Sequence, residues 1–314
     1  MSKYAHQPLS FDGLKTVAIH ARGGKVRVED FGKPYTGGGV SALIDSLPHI
    51  LAAGSFRSVI DALASARARK KMIIWGLGGH VIKCGLAPIL IDLMQRGYAT
   101  AFALNGASAI HDFEIAIAGQ TSEDVEAVLP DGSFGAAEET GREFNAALNH
   151  GPGFGESLGR HLETIADPRY AASSLLHETY RHSTPVTVHV AIGTDTPHTH
   201  PTASGEALGR ATHHDFRLLC SLVKDINDGG VYLNIGSAVV LPEVFLKAVS
   251  VVRNLGHPLA KFTTVNFDFL QHYRPKVNVV ERPHAQAGGH GYSITGHHEI
   301  MLPLLAAALI ERTA

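Results

Sequence analysis

The sequence predicts an α/β fold: a mostly parallel sheet with helices on both faces. Three observations predict it. Short apolar runs recur from Lys71 onward, each too short for a helix and bounded by small or polar residues. Amphipathic helical stretches separate them. The runs are apolar throughout rather than alternating, as expected of strands covered on both sides.

The elements follow in order. Residues 14–31 read as a hairpin, KTVAIHA and KVRVEDF alternating around Arg22-Gly23-Gly24. Gly37-Gly38-Gly39 leads into helical periodicity from Val40 to Ala68, with a break expected at Ala53-Gly54-Ser55. MIIW (72–75) is the first buried strand, followed by a glycine turn and the helix KCGLAPILIDLMQRG. TAFALN (100–105) is the second strand, and SAIHDFEIAIAG the next helix. A helical insertion fills 121–182. VTVHVAIG (186–193) returns to strand, then a His/Pro-rich loop precedes the helix HDFRLLCSLVKDIN. VYLNIG (231–236) and KFTTVNF (261–267) flank a helix from Pro242 to Asn254, and an apolar helix runs from Ile300 to Glu311. With no internal repeat and no Pro/Ser linker, residues 1–314 are expected to form one nucleotide-binding domain.

Bulk properties limit the function classes. Of the 314 residues, 45% are hydrophobic and 18% charged, enough for a large core. A net charge of -2 without a cationic run argues against capture of nucleic acid or anionic membrane. Two cysteines make no disulfide framework, and no apolar run is long enough to span a bilayer. A cytoplasmic protein acting on a small molecule is the expectation. Histidines number 20, against 13 phenylalanines, so some are expected to act on metals, protons or phosphates.

In open parallel sheets, ligands bind beyond the carboxyl ends of the strands. Here those ends carry Gly76, Gly78, Gly79 and His80; Asn105, Gly106, His111 and Asp112; Asp195, His198 and His200; Gly236; and Asn266 and Asp268. The turn at 76–79 suits a phosphate, because glycines admit close backbone approach and the following helix offers free N–H groups. It departs from the usual dinucleotide fingerprint: Val81 stands at the last glycine, and Leu104-Asn105 end the second strand without an acid. His198 and His200, with His213, His214 and Asp215 nearby in sequence, form the alternative, a zinc site for a metal-dependent hydrolase. Zinc is the less favoured cofactor. His177 and His182 are one residue too far apart for the two-histidine zinc helix, and there is no phosphate-loop lysine.

Residues 73–119, IIWGLGGHVIKCGLAPILIDLMQRGYATAFALNGASAIHDFEIAIAG, resemble the nucleotide-binding core of deoxyhypusine synthase and its bacterial homospermidine synthase relatives. VTVHVAIGTD, HHDFRLLCSLVKDIN, VYLNIGSAVV and HEIMLPLLAAALIE resemble later elements of that family in the same order. The resemblance implies a Rossmann-like NAD-binding fold and a homotetramer. It places NAD contacts on Gly78, Gly79, His80, Lys83, Asn105, Gly106, Asp195 and Asn266, with Gly76, Gly236 and Asp268 at the adjoining strand ends. His111 and Asp112 then lie near the polyamine end of the pocket.

One departure bears on mechanism. The family's imine-forming lysine falls on Leu241, which cannot make a Schiff base. Ile110 and His111 occupy the places of the acidic pair that grips polyamine nitrogens. The expectation is therefore an NAD-dependent oxidoreductase or transferase acting on a small substrate, amines among the candidates, and not deoxyhypusine synthase itself. His111, His200 or His290 would serve as the base, with Asp112 as orienting partner. A catalytically silent nucleotide-binding protein is the third reading.

Overall fold

The computed structural model describes residues 3–149 and 151–312. Residues 14–31 form no hairpin: they carry two 3-10 turns, Ile19–Ala21 and Val28–Asp30, and no strand. The helices and strands then run α1 (Gly39–Ser46), α2 (Leu51–Ala68), β1 (Ile73–Leu77), α3 (Gly79–Lys83), α4 (Ala87–Gln95), β2 (Ala101–Asn105), α5 (Gly106–Ala118), α6 (Val125–Val128), α7 (Glu138–Ala147), α8 (Phe154–Ile165), α9 (Leu175–Arg181) and β3 (Val186–His189). They continue with α10 (Gly205–Lys224), β4 (Val231–Ile235), α11 (Val240–Asn254), β5 (Thr263–Asp268), α12 (Tyr273–Pro275), β6 (His290–Thr295) and α13 (His298–Glu311).

The six strands form one sheet in the order β3-β2-β1-β4-β5-β6, and every pairing is parallel. The chain winds outward from β1 through β2 and β3, then crosses back to build β4, β5 and β6 on the other side. That reversal between β1 and β4 opens a crevice at the carboxyl ends of the central strands.

Strands β1, β2 and β4 are buried end to end apart from Asn105, because helices cover both faces. Trp75, Leu77, Leu104, Leu233 and Phe267 pack under α2, α4, α5 and α13, with Phe56, Leu63, Leu90 and Leu305. On the other face, Ile74, Ala103 and Tyr232 meet Leu222, Leu241, Phe245 and Val249 of α10 and α11. The Tyr232 and Phe245 rings stack at 3.8 Å. Side chains of this size contribute about 1.5–3 kcal/mol each on full burial, so the two layers hold the strand tips in fixed register.

Local differences from the expected elements have simple causes. The break in the first helical stretch falls at Leu47-Pro48-His49-Ile50, while Gly54 lies inside α2. Proline lacks the N–H that would continue α1, whereas a single glycine only weakens a helix. Strand β3 stops at His189; the turn that follows puts Gly193 at φ +94, in the left-handed region where glycine is at ease. The sixth strand, HGYSIT, pairs along the whole of β5.

Candidate functional site

The carboxyl edge of β1 and β2 is built from close backbone contacts. The Gly78 N–H donates to Ile235 O at 2.8 Å, and a Cβ on Gly78 would lie 2.0 Å from Gly236 O. Only glycine lets the β1 and β4 tips meet this closely. A Cβ on Gly79 would lie 2.9 Å from the Ala107 methyl and 3.3 Å from His111 Cδ2, which puts the start of α3 against α5. Gly76 belongs to β1 itself rather than to the turn. Its missing side chain leaves room for the Tyr232 hydroxyl, 2.7 Å from where a Cβ would stand.

At β2, Asn105 caps α5: its side-chain oxygen accepts from the Ser108 N–H at 2.9 Å and the Ser108 hydroxyl at 2.8 Å. Beside that cap lies Asp195, on the loop after β3. A Cβ on Gly106 would stand 2.1 Å from Asp195 Oδ2, and that oxygen is enclosed without a hydrogen-bond donor. Burial raises the Asp195 carboxyl to about 6, with the Thr194 hydroxyl opposing. The loop is pinned to α7 by the Asn145 amide, which donates to Pro197 O at 2.9 Å.

Asp195 and Thr194 line a cavity of about 920 Å³ between α5 and the 121–143 segment, together with Lys83, Ala107, His111 and Glu114. The walls also carry Glu123, Glu139 and Glu143, so carboxylates outnumber the one lysine. Burial works against ionising Glu114, but contacts to His111, Thr121 and Thr140 outweigh it and hold its carboxyl below the ordinary range. The Thr121 hydroxyl donates to Glu114 Oε2 and lies 2.8 Å from His111 Nδ1. With that proton committed, the threonine oxygen accepts from Nδ1–H, which leaves His111 Nε2 as the lone-pair nitrogen.

The other expected catalytic residues stand elsewhere. Asp112 is fully buried and turned to α9, where it accepts from the Ser174 hydroxyl (2.7 Å), Leu175 N–H (2.7 Å) and Leu176 N–H (2.8 Å). It holds a helix start and does not orient His111; Thr121 and Glu114 do that. His200 bonds Thr202 (2.8 Å) and Glu138 (3.3 Å) and is not among the residues that line the cavity. His290 opens β6 opposite Thr263, at the amino edge of the sheet. A strand of this length puts it about 16 Å from the carboxyl tips.

The His/Asp cluster does not converge on one ion. His198 Nδ1 accepts from the Gly193 N–H at 3.2 Å. Asp215 is buried, taking the Gly155 and Val188 N–H groups at 2.9 and 2.7 Å, and so ties α8 to β3.

Among the expected cofactor contacts, Gly78, Gly79, Asn105, Gly106, Lys83 and Asp195 come together around this edge. Asn266 is in the same sheet but engaged: Asn234 donates to it at 2.7 Å and it donates to Gln271 at 2.8 Å. Asp268 ends β5, buried, near His298. Leu241 is buried in the α10–α11 layer, and Lys247 pairs with Glu243 at 3.2 Å on the exposed face of α11. Glu114 and Thr121 escaped the sequence reading, although the His111-x-x-Glu114 spacing places both side chains on one helix face.

No family model matches the chain, and no curated protein sequence matches it. Solved structures do resemble it in fold. AgrE, solved as a ternary complex with ornithine and NAD+, aligns with TM-score 0.55 and 15% identity over 82% of this chain. A candidate LOR/SDH protein from Methanococcus maripaludis S2 aligns at 0.52 and 15%, over 84% of this chain and 71% of that one. A candidate deoxyhypusine synthase from Entamoeba histolytica aligns at 0.52 and 10%, over 86% of this chain and 92% of that one. ArgZ, a cyanobacterial arginine dihydrolase, aligns at 0.51 and 15% over 84% of this chain. The chain spans about a third of the length of AgrE and ArgZ, 33% and 34%. Among the described residues no helix is long and apolar enough to cross a membrane. The fold is thus the α/β, deoxyhypusine synthase-like one, a parallel sheet with helices on both faces.

Proposed function

We propose that the chain is an NAD-dependent enzyme, an oxidoreductase or transferase, acting on a small amine at the carboxyl edge of the sheet. The observation that carries this reading is Asp195. Its Oδ2 is an enclosed acceptor without a donor, seated over Gly106 at the start of α5 and beside the cavity. Buried acceptors are rarely left unpaired, and a hydroxyl-bearing ligand such as a nucleotide ribose supplies the missing donor. The glycine turn at Gly78-Gly79 packs against Ala107 and His111 of the cavity wall, where its backbone would approach the phosphates and Lys83 would offset their charge.

Bound there, NAD would supply a hydride acceptor. His111, its Nδ1 held by Thr121, would accept the substrate proton at Nε2. Glu114, Glu123 and Glu139 give the cavity an acidic wall that favours a protonated amine over an acid. AgrE, a third of which this chain spans, was solved with both ornithine and NAD+, which supports the pairing of a nucleotide with a diamino acid. Deoxyhypusine synthesis is set aside, because Leu241 offers no amine and Lys247 is committed to Glu243.

A homotetramer in the cytoplasm accords with the exposed apolar side chains of Leu9, Phe11, Leu14 and Val28 and with two free cysteines, Cys84 and Cys220. Native mass spectrometry after incubation with NAD+ tests nucleotide and assembly together, and NADH absorbance with diamines and diamino acids tests turnover. One nucleotide per chain is expected. A protein that takes up no nucleotide at millimolar NAD+ refutes the reading.

A further inference from the structure

We propose that a transition-metal ion of the zinc class binds at a second site, formed by His80, Cys84 and Glu299 where α3 meets the start of α13. One ligand atom from each of the three lies within 4.8 Å of the other two. Zinc bound to nitrogen, oxygen and sulfur at roughly 2.0–2.3 Å needs ligands roughly 3.3–3.8 Å apart. The required contraction is small. His80 and Glu299 are exposed and can rotate, and only Cys84 is partly buried.

The backbone prepares the pair on α3. The Cys84 N–H donates to His80 O at 2.9 Å, a helical i to i+4 bond that stacks the two side chains on one face. Glu299 comes from the first turn of α13, and the Cys84 thiol donates to its Oε2 at 3.7 Å. Binding of the ion replaces that thiol proton, which goes to solvent, and leaves a thiolate ligand.

An independent observation points to the same place. His298 is only 1% exposed, yet neither ring nitrogen has a hydrogen-bond partner. Its ring stands edge-on to His80 at 5.8 Å. Phe269 closes one side, 6.2 Å from His80 and stacked on His297 at 6.0 Å. The set is mixed nitrogen, sulfur and carboxylate, which suits zinc or cobalt rather than calcium or magnesium. Three protein ligands leave one position open, as in catalytic rather than structural zinc sites.

The inference does not rest on the nucleotide reading, and metal uptake is measured with no nucleotide present. Equilibrium dialysis against zinc should give one ion per chain. The cobalt(II) form should show a near-ultraviolet thiolate-to-cobalt charge-transfer band. Cys84→Ser should abolish the band and weaken zinc by about 100-fold or more, and Glu299→Gln by about 10-fold or more. His200→Ala should change neither. Circular dichroism checks that each variant folds; should Cys84→Ser fail, the exposed Glu299→Gln decides alone. Absence of stoichiometric zinc, a charge-transfer band that survives Cys84→Ser, or zinc affinity unaffected by Glu299→Gln overturns the proposal. So does loss of zinc in His200→Ala.

Discussion

Asp195→Asn separates the carboxylate's effect on stability from its effect on binding. Burial raises the Asp195 carboxyl from 3.8 to about 6. At about 1.4 kcal/mol per pKa unit, that difference corresponds to about 3 kcal/mol of penalty on the ionised form. Water in the open cavity screens part of it, which leaves ~2 kcal/mol. The sign follows from proton linkage. The folded state holds the proton more tightly than the unfolded state, so the stabilising contribution is complete below 3.8 and is lost as pH rises through about 6. Asparagine has a similar shape and no charge to desolvate. Thermal melts at pH 8 should therefore show the variant more stable by about 2–5 °C, and the gain should vanish near pH 4. Nucleotide binding should respond in the opposite sense. A ligand hydroxyl donating to the carboxylate favours the ionised form, so wild-type affinity should improve as pH rises through about 6, and the variant should lose that dependence. Equal melting shifts at both pH values, or a variant destabilised at pH 8, would refute the reasoning.

Other substitutions probe separate parts of the account. Asp112→Ala strips three hydrogen bonds from the buried start of α9 and should destabilise the fold by about 2–4 kcal/mol in urea titrations. Gly78→Ala drives a methyl into Gly236 backbone and should cost about 3 kcal/mol or lower the soluble yield sharply. Gly106→Ala drives a methyl against the Asp195 carboxylate, a side chain rather than backbone, so calorimetry should show weakened NAD+ binding with a much smaller change in melting temperature.

Much of the architecture was legible because burial on both faces leaves a strong mark. MIIW, TAFALN, VYLNIG and KFTTVNF each fall on an observed strand. The sixth strand left no such mark. It lies at the sheet edge, and of HGYSIT only Ile294 is buried, so no apolar run announces it. Missing β6 also misplaced His290, since nothing else showed which end of a strand it occupies. The hairpin failed for the converse reason. Val17, Ile19, Val26 and Val28 alternate with polar residues but are 74%, 68%, 56% and 75% exposed, so no layer exists for them to cover.

The site was legible where backbone geometry decides it. Gly78, Gly79 and Gly106 follow strands directly and Asp195 lies on the loop after β3, and strand ends gather wherever the sheet is parallel. Side-chain partners depend on long-range packing and were not. Asp112 sits next to His111 in sequence but faces the opposite side of α5, toward Ser174. The i to i+4 spacing of His80 and Cys84 was present in the sequence, whereas Glu299 lies 215 residues further on and only the fold brings it to Cys84.

The most direct test is calorimetric titration of NAD+ into the wild-type chain and into Asp195→Ala and His290→Ala. The wild type and His290→Ala should bind alike, because His290 lies at the far edge of the sheet, and Asp195→Ala should bind at least about 10-fold more weakly, the loss of one charge-assisted hydrogen bond. Equal affinity in all three proteins, or weaker binding only in His290→Ala, would contradict a nucleotide site at the carboxyl edge.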